Sequence, residues 1–172
     1  LKQFVACLSP QCSSVMGGTQ GAPTPFDDEG GDNGVVWLPE HKDALPKDGV
    51  FTMETLKAWN GVDLPMCVGI CGLVIDVSSS DNFAPDQGYG GLWAGKDSTL
   101  AMATVSLKKE DANRMDFNLE SLEELQLKSL AGWYKHFTTK YPIVGTLKEY
   151  ESWDFSHIEG MALTMELPSM TS

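Results

Sequence analysis

The segment Gly88 to Ala103, GYGGLWAGKDSTLAMA, sets the tightest limit on how this chain can fold. Three of its first four residues are glycine, and backbone that free serves where a chain turns sharply or approaches another group closely. The segment then runs through Trp93 into the corner Ala94-Gly95-Lys96-Asp97 and a helix-forming stretch. The pattern predicts a short helix over Ser98 to Thr104, with Asp97 or Ser98 accepting hydrogen bonds from first-turn amides that have no partner within the helix. Two readings of the turn follow: the wall of a binding pocket, or an ordinary capped loop.

The surrounding pattern is that of one globular unit. Thr52 is the expected N-cap of a helix reaching about Asn60, with Leu56 and Trp59 on one face and Gly61 ending it. Met66 to Ile70 and Leu73 to Ser78 read as a hairpin turning at Cys71-Gly72, with Leu73, Ile75 and Val77 alternating against Val74, Asp76 and Ser78. Lys108 to Asn118 is polar and expected to be irregular. Ser121 and Glu124 form a capping box for the longest helix, Leu122 to about Thr139, whose Leu122, Leu125, Leu130, Trp133 and Phe137 form the expected core stripe. Pro142 ends it, and Ile143, Val144 and Leu147 return as a strand. The tail from 151 to 172 is apolar enough to suggest a strand or a docking segment.

Four segments together carry a family likeness: FTMETLKAWNG (Phe51 to Gly61), LPMCVGICGLVIDVSSSDNF (Leu64 to Phe83), the Gly-rich corner, and LAGWYKHFTTKYPIVGTLKEY (Leu130 to Tyr150). In order and spacing they resemble the membrane-associated progesterone receptor branch of the cytochrome b5-like haem/steroid-binding domains. The likeness covers Phe51 to about Leu147 and leaves both flanks unmatched. It implies an α+β domain with short helices packed over a sheet. The resulting division is an arm and linker over 1–50, the domain over 51–150, and a C-terminal tail over 151–172.

The same likeness frames the question of haem. Ordinary cytochrome b5 ligation uses two histidines, but His41, His136 and His157 fall in the linker, the long helix and the tail. The receptor-like branch uses a tyrosine from its Gly-rich segment instead. An ungapped match from Ala94-Gly95-Lys96-Asp97 puts Trp93 at that family's Phe and Gly90 at its ligand, while Tyr89 falls one residue early. The family's second pocket tyrosine is matched by Ala84. Its Lys-Tyr pair is kept as Lys140-Tyr141. The resemblance therefore implies that any haem would be held by Tyr89 on iron with Lys140 and Tyr141 beside it. The departures at Gly90 and Ala84 make a chain without a cofactor the expectation, its former pocket filled by Trp93 and Tyr89.

Composition narrows the partners. The 172 residues carry 12 Lys+Arg against 24 Asp+Glu, a net charge of −12. Such a surface repels nucleic-acid phosphates and anionic lipid, and favours cationic protein surfaces. No apolar run reaches the length of about 20 residues that a membrane-spanning helix needs. Leu1 at the first position is read as a sign of processing. Cys7 with Cys12, and Cys67 with Cys71, lack zinc-ligand spacing; Cys67 and Cys71 are expected to be buried free thiols, and the state of Cys7 and Cys12 is open. No nucleophile, base and orienting partner form a recognisable catalytic signature, so the chain reads as a non-enzyme.

Residues 1–34 are rich in Gly, Pro and acid and cannot build a core of their own. Ordering them costs on the order of 1–2 kcal/mol per residue, which contacts outside the arm must offset. Phe4, Phe26 and the exposed-looking Trp37 of the linker are the expected anchors on a partner; the alternatives are that the arm wraps its own domain and that Trp37 packs back on it. These observations make the leading expectation a non-catalytic accessory subunit, docked peripherally on an organellar membrane assembly, with a thylakoid photosystem as the specific case. The alternative is a haem- or sterol-binding protein of the progesterone-receptor type.

Overall fold

In the computed structural model, residues 37–166 are described. Phe4, Phe26, Cys7 and Cys12 lie outside them. The α+β expectation holds. A four-stranded sheet in the order β1-β4-β3-β2 is built from β1 (Val50–Phe51), β2 (Cys67–Ile70), β3 (Leu73–Asp76) and β4 (Ile143–Leu147). The hairpin β2-β3 and the pair β3-β4 are antiparallel, and β1 runs parallel to β4. Among the described residues, six helices pack around the sheet: α1 (Pro39–Asp43), α2 (Met53–Leu56), α3 (Gly90–Trp93), α4 (Thr99–Ala103), α5 (Glu124–Lys140) and α6 (Ser156–Thr164).

Local chemistry explains most of these elements. The hairpin turns at Cys71 (φ 48°) and Gly72 (φ 76°), two successive left-handed residues that match the twist of the flanking strands. Thr52 caps α2 by accepting from the Thr55 N–H at 3.1 Å, while the Thr52 N–H donates to the Thr55 hydroxyl. The helix is shorter than expected and stops at Leu56, yet Leu56 and Trp59 are both buried. The alternation expected in β3 is absent, because Val74 and Asp76 are buried as well as Ile75 and Val77. A sheet covered on both faces buries both sets of side chains.

The long helix starts later than the capping-box reading places it. Ser121 turns back on Asn118, donating its N–H to Asn118 Oδ1 at 2.7 Å, and closes a separate 3₁₀ turn. The helix begins at Glu124, and the Glu123 N–H donates to Gln126 Oε1. Leu130, Trp133 and Phe137 are buried as the stripe requires, but Leu125 is 76% exposed. Five residues before Leu130 is about 140° around the helix, which turns Leu125 to solvent.

The core reaches beyond residues 51–150 on both sides. Trp37 is 7% exposed and packs on Trp59 with centroids 5.2 Å apart. It is a core residue, which corrects the expectation of an exposed partner anchor. The chain from 38 to 49 folds back through α1, started by Pro39, and a turn at Pro46–Gly49. The tail is a helix rather than a strand. Ile158 and Ala162 of α6 are buried, and Lys135 of α5 donates to the carbonyl of Met165 just past the end of α6. Cys67 and Cys71 are buried free thiols, as expected, and burial pushes both thiols up from their ordinary pKa.

The Gly-rich corner docks on the edge of β2. The Gly69 N–H donates to Lys96 O at 2.9 Å, and the Ser98 N–H to Gly69 O at 2.8 Å, so the corner covers an otherwise open sheet edge. Gly95 sits at φ +66°, and a Cβ there would stand 2.9 Å from the Lys57 carbonyl, so only glycine fits without strain. The Asp97 carboxylate, 1% exposed, gathers the surrounding donors. Its Oδ1 accepts from the Thr99 hydroxyl at 2.7 Å, and its Oδ2 accepts from the Tyr150 hydroxyl at 2.8 Å and more weakly from the Thr99 N–H. Thr99 Oγ1 in turn accepts from the Cys71 N–H at the hairpin turn. Asn113, in the irregular 108–118 stretch, pairs with the Asp97 backbone in both directions.

Burial raises the Asp97 carboxyl from the ordinary carboxylate range to about 6, against the lowering effect of its hydrogen bonds from Thr99 and Tyr150. Between about pH 4 and pH 6 the folded chain therefore holds a proton that the unfolded chain releases. Asp97 contributes most stability below pH 4, and this is lost as pH rises to 6, about 3 kcal/mol in all. In urea unfolding, the stability of wild type relative to Asp97→Asn is expected to fall by about that amount across this window; a flat difference would remove Asp97 as the titrating group.

Candidate functional site

The interior around the Gly-rich turn is filled by aromatic rings. Tyr89, one residue ahead of α3, lies flat on Trp93 with centroids 5.0 Å apart and planes 5° apart. Trp133 of α5 meets both edge-on, at 5.9 Å from Tyr89 and 6.2 Å from Trp93. Phe83 lies 5.7 Å from Tyr89 and 5.8 Å from Phe137, and Phe137 lies 5.7 Å from Tyr141. Offset-stacked and edge-to-face rings at such spacings attract beyond the area they bury, by about 0.5–1.5 kcal/mol per pair. The result is a continuous column from Trp93 to Tyr141, and Trp93 and Tyr141 are almost wholly buried.

The three residues implied for haem are distributed along this column rather than around a space. Tyr89 is part of the stack. Tyr141 is separated from it by Phe83 and Phe137, and the Lys140 ammonium sits 5.4 Å over the Tyr141 ring. Gly90, matched to the ligand position, is buried with its α-carbon against the neighbouring turn: a Cβ there would lie 2.1 Å from the Ala84 carbonyl oxygen. His136 packs edge-on against Trp133, Phe137 and Tyr141, and burial, with Lys140 nearby, lowers it to about 4, so it is neutral at physiological pH. The residues present do not fit a haem. Among the described residues no group of three His, Cys, Asp or Glu is placed to hold a metal ion.

A cleft of about 430 Å³ opens on the other side of Phe83. It is lined by the 61–66 loop and the 78–85 segment, with Trp37 and His41 beside them. The loop is held by Asn60, whose Oδ1 accepts from the Val62 and Asp63 N–H groups, and by the Gly61 N–H donating to Leu64 O. The lining is mixed, with Trp37, Leu64, Met66, Phe83, Ala84 and Pro85 forming its apolar part and His41, Asp63, Ser78, Ser80 and Asp81 its polar part, and its volume is within the range of about 300–1,000 Å³ usual for small-molecule sites. Tyr89, Lys140 and Tyr141 do not line it. Sequence reasoning missed this cleft. Its one local signal is the Asn60-Gly61 turn followed by Val62, which is 74% exposed at the rim.

A mixed sheet with helices packed around it, an interior closed by its own aromatic rings and a cleft of mixed lining at the surface together make up a small α+β domain. No protein-family model matches the chain. It is 37% identical over 97 residues to probable steroid-binding protein 3 of Arabidopsis thaliana, covering 55% of this chain and 94% of that protein. It is 30% identical over 131 residues to membrane steroid-binding protein 1 of the same plant, covering 73% of this chain and 58% of the relative. With membrane-associated progesterone receptor component 2 of Rattus norvegicus it shares 33% identity over 99 residues, covering 56% of this chain and 45% of the relative. The chain thus spans about half of these longer relatives. A solved Arabidopsis thaliana protein described as having a cytochrome b5 like fold is 36% identical, over 57% of this chain and 89% of that one, with a TM-score of 0.49.

The chain belongs to the steroid-binding and membrane-associated progesterone receptor component family.

The column is expected to matter for stability. Truncating Trp93 to Ala removes a fully buried ring with two ring partners and should cost about 3–5 kcal/mol in urea unfolding. Leu125→Ala, on the exposed face of α5, should change stability by less than about 0.5 kcal/mol. Equal effects at the two positions would show that the column is not packed as described.

Proposed function

We propose that this chain binds a small, largely apolar ligand of the steroid class in the cleft between the 61–66 loop and the 78–85 segment, and that it does so without catalysing a reaction. The observation that carries the reading is the 430 Å³ cleft itself, which combines an apolar part (Trp37, Leu64, Met66, Phe83, Ala84 and Pro85) with polar groups and shares only Phe83 with the packed aromatic column. The names of the relatives, which speak of steroid binding and of progesterone receptor components, support the ligand class. Membrane association belongs to the same proposal. It is supported by relatives named as membrane proteins, while among the described residues no helix is long and apolar enough to cross a bilayer.

The accessory-subunit reading has less behind it. Of its anchors, Phe4 and Phe26 lie outside the described residues and Trp37 is buried in the core. Nothing in the relatives' names points to a photosystem or a thylakoid.

Equilibrium binding of tritiated progesterone to the purified chain tests the proposal. Ala84 is half-buried in the cleft wall, and Ala84→Trp should fill the space and weaken binding at least about tenfold, or ~1.4 kcal/mol, with circular dichroism and melting temperature unchanged. Undiminished binding in a folded Ala84→Trp variant would remove the cleft as the site.

A further inference from the structure

We propose that this chain is a haem-free member of its family, in which the space a haem would take is permanently filled by the protein's own rings. The inference is independent of what occupies the cleft.

Three features of the interior converge on it. The first is backbone. At Gly90 the chain passes so close to the 83–84 peptide that a Cβ would stand 2.1 Å from Ala84 O and 2.9 Å from Ala84 C. Both contacts are with main chain, which cannot swing aside as a flexible side chain can. A tyrosine at the position the ungapped match assigns to the iron ligand is therefore excluded unless the whole turn moves.

The second feature is the tyrosine that is present. Tyr89 precedes Gly90, its ring is parallel to Trp93 at 5.0 Å and perpendicular to Trp133 at 5.9 Å, and it also touches Phe83. To reach an iron it would have to leave three ring contacts and open a void beside a wholly buried tryptophan. The third is the filling between the implied partners. Phe83 and Phe137 continue the ring-to-ring sequence from Tyr89 to Tyr141, so a flat macrocycle touching both tyrosines would displace at least one of them. Close-packed interiors do not yield such space without repacking.

None of the histidines takes the place of Tyr89 in the column. His136 is held among Trp133, Phe137 and Tyr141, His41 lies on α1 beside the cleft, and His157 lies on α6. Filling the site with side chains makes the fold, and any binding in the cleft, independent of haem supply.

The test uses the full 172-residue chain and hemin as the probe. Wild type and Tyr89→Phe are titrated with hemin while absorbance in the Soret region and melting temperature are recorded. Near-ultraviolet circular dichroism before titration confirms that the aromatic interior of each is intact. No saturable Soret band and no change in melting temperature in either protein are expected. A saturable one-to-one band in wild type overturns the proposal: its loss in Tyr89→Phe would show that Tyr89 leaves the stack to ligate, and its persistence that another residue ligates. Progesterone binding is measured on the same haem-free preparation. Failure to bind under any condition would count against the cleft reading alone, whereas binding that appears only after hemin is added would count against this one.

Discussion

A buried carboxylate holds the Gly-rich corner to the sheet, and the turn ahead of that corner is placed by the attachment. Asp97 collects the hydroxyls of Thr99 and Tyr150, while its backbone neighbours Lys96 and Ser98 bond to Gly69 on the edge of β2. Thr99 relays the attachment to the hairpin turn through the Cys71 amide. One carboxylate thus joins the start of α4, the hairpin turn and the 3₁₀ turn ending at Tyr150. Desolvation makes the charged form costly there, as the raised pKa records. A buried acid kept under that cost serves as a specific fixing point: removing it would leave several donors buried without an acceptor.

With the corner fixed, the preceding turn has no freedom left. Gly90 is pressed against the Ala84 carbonyl, and Tyr89 and Trp93 are brought face to face on either side of it. The long helix α5 then supplies Trp133 and Phe137 to close the interior. Phe83 is the shared wall. It belongs to the aromatic column on one side and lines the cleft on the other. The two candidate sites of this domain are therefore adjacent and unequal: one is packed by the chain itself, and the other stays open.

How much of this is legible in the sequence depends on the range of the interaction. The hairpin at Cys71-Gly72, the Thr52 cap, the strand after Pro142 and the buried positions Leu130, Trp133 and Phe137 rest on local chemistry, and they appear where the residues say they should. The stacking of Tyr89 on Trp93 also has a local basis, the glycine at position 90 that lets the turn press against the Ala84 carbonyl. Long-range features are not legible in this way. Trp37 looks like an exposed aromatic in a polar linker until Trp59 is seen beside it, and α6 looks like a loose tail until Ile158 and Ala162 are found against the core. Asp97 reads as a helix cap, and its partner Tyr150 is 53 residues away. The cleft combines two loops and a linker that are separate in sequence, and no local pattern brings them together.

Closure of the aromatic column in solution is directly observable by nuclear Overhauser spectroscopy of the haem-free chain. Cross-peaks between the Tyr89 ring and those of Trp93, Trp133 and Phe83 are predicted, with Tyr89 ring protons shifted upfield by the stacked indole. A Tyr89 ring at unstructured chemical shifts, without contacts to Trp93, would contradict it.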